Sequence, residues 1–438
     1  MPEALWYGNR MDDGSLATDA SPGAQDSKAL SRAAPRGPAR ILSLDVLRGV
    51  GVLGMLAVHI QLFAFPSLAR WNPTAYGDLR GVNWWVWLAT SVLADGKFIS
   101  IFAMLLGASI VMAPGRAADR VIPAWRAHVR RMAALLVLGL LHAYLLWYGD
   151  MLVALALSGA VVFFARRLSP RWLLALGGVA FAMGSVLTVA LTWSLAQGPP
   201  AELAAWREYY TPRPVKIATE IIQYQGGWAE QMRHRVPAAW EIHTWYFVTR
   251  LFWQMTGLML LGMALFKLDV LGAARSRVFY RSLGAFGFGA GILLISLALW
   301  RSFATKWDLL DYVLVSQELR YWGNLLVALG WLALVMLLCQ RGWRLGPVAA
   351  AGRMALTNYL LQTLICTTIF YGHGLGLFGH VDRAGQFAIV LGVWAFQLLA
   401  SIAWLGYFAL GPVEWVVRRL VYGRRPSLLR SSSAVAGV

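Results

Sequence analysis

Acidic residues are scarce in this chain: 21 Asp and Glu stand against 39 Lys and Arg, a formal net charge of +18. Charge of either sign is scarce as well, at 14% of 438 residues, which excludes a disordered, self-repelling chain for most of the length. The 2 cysteines, Cys339 and Cys366, both lie inside apolar segments and provide neither a disulfide framework nor a zinc spacing. HExxH, CxxC and GxSxG patterns do not occur, which argues against the familiar metalloprotease and serine-hydrolase chemistries and gives no metal to expect. The glycine run around His373 follows no strand and lacks the Walker lysine, so it is not a phosphate loop. Residues 1–39 contain no apolar run, which excludes a signal peptide there; their Ala, Ser, Gly, Pro and Asp predict a disordered cytoplasmic tail.

What is present is apolar surface. Hydrophobic residues reach 58%, and mean hydropathy is +0.56. The 22 tryptophans suit the two membrane–water interfaces. The basic residues are spread between apolar runs rather than gathered in one patch, so nucleic acid is not the expected partner. They read as topology determinants and contacts for membrane lipids. The fold class that follows is an all-α polytopic integral membrane protein with about ten transmembrane helices. The runs are roughly Leu42–Phe65, Lys97–Met112, Met132–Tyr148, Met151–Ala165, Trp172–Ala196, Thr244–Phe266, Leu283–Trp300, Tyr321–Cys339, Met354–Tyr371 and Phe387–Phe408. Asn83–Leu93 is expected to lie in the interface. The Lys/Arg bias puts both termini in the cytoplasm. The expected organisation is a membrane domain over 40–422, with a long extracytoplasmic loop at 197–243, and a second cytoplasmic tail at 423–438.

The first run carries three ionisable groups, Asp45, Arg48 and His59. Eleven steps at about 100° bring His59 back to nearly the bearing of Arg48, about 16 Å along the axis. Asp45 shares that stripe. Bare charge facing lipid costs several kcal/mol, so the stripe should face protein or a watery cavity. His59 is suited to general-base work, against the plainer reading of a histidine that hydrogen-bonds a neighbouring helix. Asp45 and Arg48 stand at the spacing of a structural ion pair.

Further candidates are spread along the chain. His142 and Asp150 bracket the end of the third run, where Asp150 either orients an imidazole or caps the next helix. Asn358 and Gln362 stack on one helix face, either as interhelical hydrogen bonds or as the lining of a substrate path. Lys97 reads foremost as an interfacial, snorkelling lysine. Arg235 belongs to a polar cluster in the 197–243 stretch, for which a solvated loop is favoured over substrate binding. His373 sits in the glycine-rich loop, and Glu414 with Trp415 reads as an interfacial anchor.

Asp45-x-x-Arg48-Gly49 followed by His59 resembles the first helix of the transmembrane acyltransferase superfamily, which includes the bacterial acyltransferase-three proteins and the heparan glucosaminide acetyltransferases. Leu141-His142 through Gly149-Asp150, Gly352-Arg353-Met354-Ala355-Leu356-Thr357-Asn358-Tyr359 and Gly411-Pro412-Val413-Glu414-Trp415 resemble one branch of it, the YeiB-like bacterial membrane proteins. The matches run from about Ile41 to Tyr422. That branch often carries asparagine where His59 stands, so this chain departs from it toward the acyltransferase pattern. The resemblance implies a bacterial inner-membrane enzyme that takes an acyl group, acetyl foremost, from cytoplasmic acyl-coenzyme A. The acceptor would be a small molecule or glycan, at a hydroxyl or amine on the extracytoplasmic side. His59, His142 and Asp150 would be catalytic; Arg48, Asp45 and Arg353 would bind the donor. Asn358, Gln362, Lys97, Arg235 and His373 would line the substrate cavity. A homo-oligomer is left open. The competing expectation is a transporter of a small solute, with the polar stripe as its path.

Overall fold

The apolar stretch after Ile41 folds as one uninterrupted helix, α1 (Leu42–Ala64), and the rest of the chain is arranged around it. In the computed structural model the described residues are 42–112, 122–211, 213–343, 345–423 and 428. Apart from Gly423 and Leu428, the expected tails at 1–39 and 423–438 lie outside them. After α1 come α2 (Leu68–Trp71), α3 (Gly81–Leu93), α4 (Lys97–Met112), α5 (Ala124–Leu141), α6 (Leu152–Val162) and α7 (Pro170–Gln197). Next are α8 (Pro200–Tyr210), α9 (Pro214–Gln225), α10 (Trp228–Glu241), α11 (Phe252–Lys267) and α12 (Arg277–Ala304). The last are α13 (Leu309–Asp311), α14 (Gln317–Gln340), α15 (Gly346–Arg353), α16 (Ala355–Phe370), α17 (Arg383–Tyr407) and α18 (Pro412–Tyr422). Among the described residues three segments are π-helical: His142–Leu146 extends α5, Ile242–Leu251 joins α10 to α11, and Tyr312–Ser316 joins α13 to α14.

Among the described residues eight helical stretches are long and apolar enough to cross a membrane, rather than about ten. The expected fourth and ninth spans are the short helices α6, of 11 residues, and α16, of 16. Burial separates the eight into inner and outer members. In α1, 67% of the apolar window is buried, whereas in α7 and α17 only 28% is. Trp172, Val179, Val186, Leu399 and Tyr407 are exposed on those outer helices. Apolar surface of that extent suits the lipid-facing side of a multi-pass membrane protein.

Asn83–Leu93 lies within α3, which with α4 makes a membrane-length stretch, Gly81–Met112, broken at 94–96 where Gly96 adopts φ +78°. The 197–243 segment is helical through α8, α9 and α10, and α10 runs on through a π-helical segment into α11. Proline in the first turn starts α8 and α9, where its missing N–H is no loss.

Near its start α1 is crossed by α15 at a distance that only glycine permits. A Cβ on Gly352 would strike the carbonyl oxygen of Asp45, and one on Gly49 would strike that of Val348. The crossing brings Arg353 into the neighbourhood of Asp45 and Arg48.

Candidate functional site

The far end of α1 meets the join between α5 and α6. The last turn of α5 widens into a π-turn, in which Trp147 N–H donates to the His142 carbonyl at 2.8 Å. That extra residue per turn rotates His142 inward and swings Trp147 across the core, where both are buried. The Trp147 ring stacks on Phe63 at 4.2 Å and lies 5.0 Å from the His59 ring and 6.3 Å from that of His142. Trp147 therefore separates the two histidines that the sequence singles out.

Behind it runs a buried polar chain. Asp150 Oδ2 lies 2.7 Å from His142 Nδ1, and His142 Nε2 lies 2.9 Å from Thr363 Oγ1. The assignment that satisfies every group has Nδ1–H donating to the carboxylate and Nε2 accepting from the threonine hydroxyl. Tyr359 OH donates to the same Asp150 oxygen at 3.4 Å. Asp150 Oδ1 accepts from Val153 N–H at 2.9 Å, so Asp150 caps α6 and orients His142 at once. An Asp–His–hydroxyl chain of this geometry can polarise the Thr363 hydroxyl or hold His142 in one tautomer.

His59 is placed differently. It is half-buried, and among the described residues its ring has no hydrogen-bond partner; its contact is the Trp147 ring. The flanking Val58 and Gln61 line a small polar cavity, with Arg70, Pro73, Trp87, Thr90, Ser91, Asp95 and Arg320 as the remaining wall. The groups that act on His59 electrostatically include Arg70 and Asp95 of that wall.

The cavity is electrically built at the break between α3 and α4. Asp95, in the break, takes Arg320 Nη2 at 2.5 Å on one oxygen and Arg70 Nη2 at 3.4 Å on the other. Lys97 follows, fully buried, its Nζ donating to the Ser91 carbonyl at 2.7 Å. This corrects the snorkelling expectation: α1 and α14 pack over the start of α4, so the lysine is enclosed instead of reaching an interface.

The other sequence candidates fall into three places. Asn358 donates to the Ala351 carbonyl at 3.1 Å and to Ser401 at 3.0 Å. Gln362 donates to the Val52 carbonyl at 3.0 Å and to Gln397 at 2.9 Å, so both amides join α16 to α1, α15 and α17. Arg235 is fully buried, which overturns the solvated-loop expectation. It donates to the Leu145 carbonyl and to Gln231, clamping the π-turn, and Gln231 also meets His373 at 3.3 Å. At the opposite end of α1, Arg48 pairs with Asp45 at 3.0 Å, and Arg353 donates to the Ala409 carbonyl at 3.2 Å. Among the described residues no three His, Cys, Asp or Glu side chains gather as a metal would require.

Glu414, read from the sequence with Trp415 as an interfacial anchor, accepts from the N–H of Leu356 at 2.7 Å and of Thr357 at 3.1 Å, capping α16 from a distant part of the chain. Glu220, on α9, accepts from Ser67 N–H at 2.8 Å and Ser67 Oγ at 3.1 Å, fixing the turn that leads to Arg70. Burial pushes its carboxyl up to about 7 despite those two donors.

Sequence reasoning missed Arg70, Asp95, Arg320 and Thr363. The three charges stand at the ends of apolar runs, where interfacial or topological roles are the ordinary reading. Thr363 gave no signal, since a threonine beside Gln362 in an apolar helix is unremarkable until His142 is seen opposite it.

A family described as a protein of unknown function, DUF418, matches residues 265–424. That stretch holds Asn358, Thr363 and Glu414 and leaves α1 outside. The Escherichia coli (strain K12) protein YeiB, described as uncharacterized, is 32% identical over 387 residues, covering 87% of this chain and 96% of that protein. The uncharacterized Bacillus subtilis (strain 168) protein YxaH is 27% identical over 415 residues, covering 87% of this chain and 94% of its own.

Proposed function

The chain belongs to the YeiB-like family, and from that premise we propose that it is a membrane-embedded acyltransferase of the bacterial inner membrane. It moves an acyl group, acetyl foremost, from cytoplasmic acyl-coenzyme A to a hydroxyl or amine of an extracytoplasmic acceptor. In this reading both termini are cytoplasmic, the Arg48 end of α1 faces the donor, and the His59 end faces the acceptor. The observation that carries it is the state of His59: half-buried, unengaged by protein hydrogen bonds among the described residues, and on the turn of α1 whose Val58 and Gln61 line a polar cavity.

His59 takes the proton from the acceptor as its oxygen or nitrogen attacks the thioester carbonyl. The new C–O or C–N bond forms, the C–S bond breaks, and the proton passes from His59 to the departing thiolate. Arg48 holds a donor phosphate about 16 Å away along α1, a span that a thin pantetheine arm can bridge. Asp150, His142 and Thr363 fix the π-turn, hence Trp147, hence the face against which His59 rests.

The test uses full-length protein in nanodiscs with labelled acetyl-coenzyme A and isolated bacterial envelope as the acceptor pool. Label should enter the envelope fraction, and His59→Ala should slow this by about 10² to 10⁴ while donor binding persists. Full transfer by His59→Asn would remove the histidine mechanism. Arg48→Ala should weaken donor binding by about 1.5–3 kcal/mol.

A second reading, transport of a small solute, is favoured by one feature: the membrane-length helix broken at 94–96 with Asp95 held between two arginines. Solute uptake into proteoliposomes without any acyl transfer would put this reading first.

A further inference from the structure

The cavity beside His59 contains more positive charge than the protein neutralises. Arg70 and Arg320 both reach Asp95 at the α3–α4 break, and among the described residues it is the acidic group in ion-pair reach of either. Two guanidinium groups sharing one carboxylate leave a surplus of positive charge, and Lys97, buried beside the break with its Nζ on the neutral Ser91 carbonyl, brings no acidic partner of its own. Such a site suits an anion. Arg70 and Arg320 both line the cavity and present planar forks suited to carboxylate or phosphate oxygens. Gln61, Thr90 and Ser91 add neutral polar groups to the same wall.

We infer that this cavity binds the anionic group, a carboxylate or a phosphate, of the molecule on which the protein acts. Asp95 is the internal competitor of that ligand: it occupies part of the guanidinium surface and keeps both arginines in place until an anion arrives. The turn of α1 that supplies Val58 and Gln61 to the wall also carries His59. An acceptor held there by its anion sits against the same turn of α1 as the imidazole. The inference rests on the acyltransferase reading for the word acceptor alone; the anion site stands on its own charges.

Binding is measured directly, with no acyl donor present. Glucuronate and glycerol 3-phosphate serve as soluble probes, glucose and glycerol as their neutral counterparts, and nanodiscs with or without phosphatidylglycerol as the lipid source. The anionic probes should bind and raise the melting temperature, and the neutral ones should not. Preference for phosphatidylglycerol over both soluble anions would identify a lipid headgroup as the source; the reverse would identify a soluble acceptor. Arg70→Gln should weaken anion binding at least tenfold, whereas Asp95→Asn, which removes the competing carboxylate, should tighten it. A merely structural cluster would lose binding and stability in both variants alike. Equal binding of neutral and anionic probes, no binding of either, or weakening by Asp95→Asn would each overturn the inference. Anion binding without acyl transfer would overturn the enzymatic reading and leave this one intact.

Discussion

His142 Nδ1 sits 2.7 Å from Asp150 Oδ2, with both side chains buried and eight residues apart across a π-turn. The two Asp150 oxygens have different tasks, one on His142 and one on the first turn of α6. Substitutions should separate them. Asp150→Ala removes both and should destabilise by about 3 kcal/mol or more, since a buried partner is left alone. Asp150→Asn retains an oxygen for the cap but favours the wrong His142 tautomer; it should fold and lose most acyl transfer. Thr363→Val, which strands His142 Nε2, should cost about 1–3 kcal/mol, and Thr363→Ser should restore it. Melting curves and labelled transfer distinguish these outcomes; equal loss in Ala and Asn variants would reduce the pair to packing.

The crossing of α1 and α15 makes a second prediction. Gly352→Ala would drive a methyl group into the Asp45 carbonyl and should destabilise by about 1–3 kcal/mol or more. Gly178→Ala, on exposed α7 with open space at its Cβ, should instead be stabilising by about 0.5–1 kcal/mol. The pair is read as opposite shifts in melting temperature. A tolerated alanine at 352 would mean that the helices do not approach this closely.

Glu414 should behave as a helix cap. Replacing it with alanine strands the Leu356 and Thr357 amides and should cost about 1–2 kcal/mol. Glutamine retains one acceptor oxygen and should cost less. Hydrogen exchange should accelerate at 355–358 in the alanine variant; unchanged exchange there would return Glu414 to the surface role suggested by its sequence.

Glu220 predicts a pH dependence. Its carboxyl rises from an ordinary 4.5 to about 7 in the fold, so the folded state holds this proton more tightly than the unfolded chain. Its contribution is therefore fully present below about 4.5 and is lost as pH rises through about 7. The melting temperature should fall between pH 5 and pH 8. Glu220→Gln, neutral throughout and still an acceptor for Ser67, should flatten that fall. His234 lies 3.3 Å from the same carboxyl. An identical pH profile in the glutamine variant would assign the slope elsewhere.

Composition and run length alone determined that this chain is helical and apolar enough for repeated membrane spans, because in lipid every backbone group must be satisfied within its own segment. Periodicity along α1 set Asp45, Arg48 and His59 on one stripe, since a continuous helix fixes the bearing of each residue. The pairing of His142 with Asp150 was half legible: both residues stood out, but only the π-turn decides that they touch. The charges around the cavity were not legible. Arg70, Asp95 and Arg320 come from three separate places, α2, the α3–α4 break and the first turn of α14, each an ordinary span end by itself, and only helix packing brings both arginines onto the one carboxylate. Asn358 and Gln362 show the same division: sequence placed both amides on one face of α16, and the neighbouring α1, α15 and α17 decided which groups they meet. The physical reason is range. Backbone hydrogen bonding and hydropathy act within a segment and are written in it, whereas side-chain partners belong to helices hundreds of residues apart and exist only once those helices have packed.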